Sequence, residues 1–83
     1  MKQVYYDEGF NGNNKYTFEV YLREDGTYLA LSRRWNRKLN LVQDETQFEA
    51  TTREALREQN YPRTRQVKIF LNSDFWSQQN EQS

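Results

Sequence analysis

Apolar and polar side chains alternate in two runs between Tyr16 and Trp35, one on each side of Asp25-Gly26. An Asp-Gly pair flanked by alternating runs predicts a tight hairpin, because a type I′ turn needs two residues that tolerate positive φ. With Asp25 and Gly26 as the loop, Leu22 opposes Leu29, Val20 opposes Leu31, Phe18 opposes Arg33 and Tyr16 opposes Trp35 on one face. The other face receives Arg23 with Tyr28, Tyr21 with Ala30, Glu19 with Ser32 and Thr17 with Arg34. That register gathers large apolar groups on a buried side and leaves tyrosine and arginine on a wet one.

Before the hairpin, Lys2 to Tyr6 predicts a strand and Asp7 to Asn14 a loop. A long loop, in preference to a tight turn at Asn11-Gly12, sends Val4 inward. After it, Asn36-Arg37-Lys38-Leu39-Asn40 makes a polar turn and Leu41-Val42 can continue the sheet. Asp44 to Asn60 fits either one helix or a short strand around Phe48 followed by a helix. The second is preferred, because Thr51-x-x-Glu54 forms a capping box and adjacent threonines suit a helix interior poorly. Asn60 and Pro62 then stop the helix. Alternation returns from Arg65 to Leu71, with Val67, Ile69 and Leu71 against Gln66, Lys68 and Phe70, and predicts a last strand. Asn72, Ser73 and Asp74 can cap a short turn carrying Phe75 and Trp76. The expected fold is a single α+β domain over residues 1–77, a small antiparallel β-sheet of three to five strands with one helix packed on one face, in the order β-β-β-(β)-α-β. Residues 78–83 are expected to form a frayed polar tail.

Composition narrows the chemistry. The 83 residues include no Cys and no His, so disulfides, thiol nucleophiles and every His-based catalytic or metal arrangement are excluded. Two Trp, six Tyr and five Phe supply much of the apolar area, enough for a few large rings to close a thin core. A small core and open sheet edges point to self-association, with a homodimer as the simplest form. The longest apolar run, Tyr28 to Leu31, is far too short to cross a bilayer and Met1-Lys2-Gln3 begins no export signal, so a cytoplasmic location and no membrane partner are expected.

Charge is balanced at 12 against 12, yet Arg33, Arg34, Arg37 and Lys38 crowd into six residues around Trp35, with Arg63 and Arg65 as a second basic group. Arginine forks and an indole suit phosphates and bases, so these six side chains are a candidate nucleic-acid contact. The neutral total removes most of the long-range attraction such binding uses, and the register above packs Trp35 inward. Tyr21, Arg23, Tyr28 and Arg34 share the wet face, with Phe70 joining from the last strand, and these are residue types that protein interfaces enrich. The adjacent carboxylates Asp7-Glu8, Glu24-Asp25 and Asp44-Glu45 point to opposite faces and offer no ready catalytic pair, and Gly9, Gly12 and Gly26 fit no phosphate loop. The expected function is therefore a non-catalytic small binding module acting through protein-protein contact, as an adaptor, regulator or inhibitor, with no cofactor and no metal. The alternative is a nucleic-acid-binding domain. A third class, a small enzyme or ligand binder using a carboxylate, requires a pocket where polar groups converge.

Overall fold

The computed structural model describes residues 1–77; the expected polar tail, residues 78–83, lies outside the described residues. Four strands, β1 (Lys2–Asn11), β2 (Asn14–Leu22), β3 (Tyr28–Asn36) and β4 (Leu41–Ala50), pair in sequence order as one antiparallel meander. Two short helices, α1 (Arg53–Arg57) and α2 (Arg65–Leu71), and a 3-10 turn over Asp74–Ser77 follow. Their apolar residues Leu56, Val67, Phe70 and Phe75 join Phe18, Val20, Ala30 and Ala50 in a single core on one face of the sheet. The α+β class and the antiparallel sheet stand as expected. No helix among the described residues is long and apolar enough to cross a membrane.

The β2–β3 hairpin forms, but in a register one residue away from the expected one. Leu22 pairs with Tyr28, Val20 with Ala30, Phe18 with Ser32 and Thr17 with Arg33. The loop is Arg23 to Thr27, closed by Arg23 N–H donating to the Thr27 carbonyl at 2.8 Å. Asp25 serves as a local cap and not as a type I′ residue. Its carboxylate accepts from the Thr27 amide at 3.0 Å and the Thr27 hydroxyl at 2.7 Å, and only Gly26 takes positive φ, at 88°. A slip of one flips one strand relative to its partner. Tyr28, Ala30, Ser32 and Arg34 therefore face the helices, while Leu29, Leu31, Arg33 and Trp35 turn to the open face.

At the N-terminal end neither the long loop nor a turn at Asn11-Gly12 forms, and a tight turn one residue further on takes their place. Strand β1 runs to Asn11, which pairs with Asn14, and the two-residue connection Gly12-Asn13 has Gly12 at φ 63°. Val4 does pack against the core, for another reason: a bulge between Gln3 and Tyr5 lets Val4 and Tyr5 both face inward. Strand β4 extends through Phe48 without interruption, as the strand-then-helix alternative expects, and α1 starts one residue later than the capping box implies. Thr52, not Thr51, is the N-cap, its hydroxyl accepting from the Ala55 amide at 3.0 Å.

Arg65 to Leu71 is a helix and not the expected last strand. Thr64 caps it by accepting from the Val67 amide at 3.2 Å, and Gln66, Val67 and Phe70 form the buried side. The seven residues satisfy either period. The helical one buries Phe70 completely among Tyr5, Phe18, Phe75 and Trp76, whereas a strand would have left that ring opposite Val67. Burying the larger apolar area decides the element.

Candidate functional site

Strand pairing places the open-face residues in rows across the sheet. Phe10, Lys15, Trp35 and Val42 form the row nearest the β1–β2 and β3–β4 turns; Glu8, Thr17, Arg33 and Glu45 form the next; Tyr6, Glu19, Leu31 and Gln47 follow. No helix among the described residues lies on this face, yet Thr17, Glu19 and Leu31 are buried there. Glu19 accepts from the Tyr21 hydroxyl, from Arg33 at 3.2 Å and from Gln3 at 3.3 Å. Arg33 continues to Glu45 at 2.8 Å, and Gln47 and Arg33 together hold the Glu45 carboxyl below its ordinary range. The Trp35 indole donates to the Thr17 hydroxyl at 2.9 Å, with Lys15 and Arg33 over its ring. Every polar group in this lattice is engaged, so it acts as a rigid polar floor.

The turn end of the sheet differs. Phe10 is 53 % exposed, Leu39 65 %, Leu41 59 % and Val42 43 %. None of the core residues comes from this end of the strands, so among the described residues no packed second layer covers it. The two turns are tied together: Arg37 N–H donates to the Asn13 carbonyl at 2.8 Å, the Arg37 guanidinium reaches the Gly12 carbonyl at 3.2 Å and stacks 4.4 Å from the Phe10 ring. Asn36 accepts from the Leu39 amide at 2.9 Å, and Asn40 takes the left-handed conformation at φ 55°, which asparagine tolerates. Residues 9–16 and 35–42 contain Lys15, Arg37 and Lys38 and no Asp or Glu. The turn end thus carries four exposed apolar side chains beside three basic ones, with Phe10 and Val42 on the open face and Leu41, opposite Asn36, on the other.

The expected contact face is not assembled as one surface. Tyr21 lies on the open face and Arg23 pairs from its loop with Glu49 at 2.9 Å; Tyr28 packs toward the helices, Arg34 pairs with Asp44 on that same side, and Phe70 is in the core. Of the basic cluster, Arg33 and Arg34 are neutralised by acidic neighbours, Arg37 is spent on the turn and Phe10, and Lys38 lies in the turn. Trp35 belongs to the open face and not to the core. The missed residues are Phe10, Leu39, Leu41 and Val42; an acid-free stretch of leucines beside a turn is the signal that marks them.

Arg63 and Arg65 sit elsewhere, at an open cleft of roughly 670 Å³ between the edge strand β1 and the start of α2. Asp7, Glu8, Gly9, Phe10, Tyr16, Gln66 and Ile69 also line it. Gly9 leaves room there for the Gln66 side chain: a Cβ at this position would stand 2.1 Å from the Gln66 amide nitrogen. No group of metal-ligating side chains is found among the described residues. Comparison with protein-family models, with curated proteins and with solved structures gives no match, so the site is read from its own geometry.

Proposed function

We propose that the chain is a non-catalytic binding module acting through protein contact, in the cytoplasm, as an adaptor, regulator or inhibitor. One observation carries this reading: the exposed apolar side chains Phe10, Leu39, Leu41 and Val42 at the turn end of the sheet, where the two turns are tied together. Several exposed apolar groups gathered at one end of a small domain cost solubility and are candidates for contact. Arg37 on the Phe10 ring fixes that anchor before binding, so little side-chain entropy is lost on association. The collar of Lys15, Arg37 and Lys38 selects an apolar partner patch rimmed by carboxylates.

The test is capture of partners from cell extract, comparing the wild type with a Leu39→Ser, Leu41→Ser double variant. Both leucines are solvent-exposed, so the fold is expected to survive, and loss of a specific partner is the expected result. Unchanged capture by the double variant overturns the reading. Retention of a single-stranded nucleic-acid probe that weakens steeply with salt and is lost in Arg37→Gln would instead assign the tip to nucleic acid. Self-association belongs to the same reading, since β1 and β4 end the sheet with unpaired edges.

A further inference from the structure

The cleft beside α2 brings together charged and polar groups of both signs. Gln66 is only 5 % exposed, lines the cleft, and forms no side-chain hydrogen bond among the described residues, its amide lying against Gly9. Asp7 lines the same cleft, and its Oδ2 is buried without a hydrogen-bond partner. Asp7 forms no ion pair among the described residues and, being only partly buried, is an acidic group of the cleft wall. Arg63 and Arg65 contribute two guanidinium groups that form no ion pair among the described residues, while Glu8 is engaged by Tyr6 at 2.9 Å and Lys15 at 3.9 Å.

Both signs line one cleft and do not neutralise each other there. A polyanion such as a nucleotide phosphate would be welcomed by the arginines and repelled by Asp7, and a simple cation would meet the reverse. Phe10 and Ile69, 53 % and 40 % exposed, add apolar walls. We propose that the cleft binds a small zwitterion with an apolar side chain, a free amino acid or dipeptide, its carboxylate on Arg63 and Arg65, its ammonium at Asp7, and a polar hydrogen answered by Gln66. The cleft is large enough to admit such a ligand. Arginine forks match a carboxylate in two bonds at once, and charge-assisted pairs are the stronger hydrogen bonds.

The experiment is a titration of the full chain, followed by backbone amide resonances, with L-leucine and with alanyl-leucine as probes and with N-acetyl-leucine amide and inorganic phosphate as controls. Either zwitterion is expected to shift the amides of Asp7, Gly9 and Gln66, and the uncharged control is expected to leave them in place. An Arg63→Gln, Arg65→Gln double variant, both positions exposed, should weaken binding about tenfold or more, the scale of one lost charge-assisted contact. Asp7→Asn should do the same without lowering the melting temperature, because no internal partner of the buried oxygen is lost; a merely structural Asp7 would lower it. No response to either zwitterion at millimolar concentration, an equal response to the uncharged control, or a response to phosphate alone overturns the proposal. The Leu39→Ser, Leu41→Ser variant does not touch the cleft, so failure here and failure of the protein-contact reading are separately visible.

Discussion

Single side chains decide how closely the two layers approach. Gly9 sits on the helix-facing side of β1 with ordinary backbone dihedrals, so its role is space and not conformational freedom. Alanine there would meet the Gln66 amide at 2.1 Å and its Cδ at 3.1 Å. Because the obstacle is the end of a flexible side chain, Gln66 is expected to swing out into the cleft and not to break the sheet. Gly9→Ala should cost roughly 1 kcal/mol, at the low end for overpacking, and should shift the resonances of the Gln66 side chain; an unchanged amide with full stability would contradict the contact. The Asp25 carboxylate shows a second local effect. Its hydrogen bonds from the Thr27 hydroxyl and amide hold it below the usual carboxylate range, and that same pair of bonds fixes a five-residue loop in place of a two-residue one.

The elements are set by competition between local pattern and burial. In α2, Phe70 is fully buried and Ile69 is 40 % exposed, the opposite of what an alternating strand over Arg65 to Leu71 requires. Phe70→Ala should therefore cost about 3–5 kcal/mol, enough to unfold a domain of marginal stability, while Ile69→Ser should stay within roughly 0.5 kcal/mol. Chemical denaturation of both variants checks this, and a reversed order of costs would restore the strand. The local signal for the helix was present but weak: Thr64 is an acceptable N-cap with no Glu three residues on. The same economy explains the one-residue displacement of the α1 cap, since Thr51 and Thr52 are equivalent candidates until Leu56 must reach the core.

At the scale of the whole molecule, an aromatic core over one sheet face makes stability sensitive to alkali. Burial, with Asp7 and Asp74 adding to it, pushes the Tyr5 hydroxyl up to about 12, and burial raises Tyr61 further. A raised folded-state pKa contributes stability that is whole below the ordinary tyrosine value near 10 and fades as pH rises through the folded one. Stability is thus expected to hold to about pH 10 and to fall above it, with the absorbance of buried tyrosinate appearing together with unfolding. Tyr5→Phe should flatten part of that fall. Ionisation of all tyrosines in one step near the ordinary value, with the fold intact, would show that these rings are not buried.

Much of this architecture was legible from the chain by itself: a fold-back at Asp25-Gly26, a sheet through Phe48, a helix after the paired threonines, and the absence of thiol and imidazole chemistry. These follow from near-neighbour patterning, because alternation, caps and breakers act within a few residues. What only the tertiary structure decided was which side of each strand is hidden. A side-chain carboxylate closing a longer loop moved the hairpin register by one, and a shift of one exchanges the faces of an entire strand. The expected Tyr and Arg surface was divided by that step, Trp35 moved to the open side, and the apolar tip and the two-signed cleft arose from residues far apart in sequence. Their proximity depends on where β1, the turns and α2 come to rest, and no local pattern encodes it.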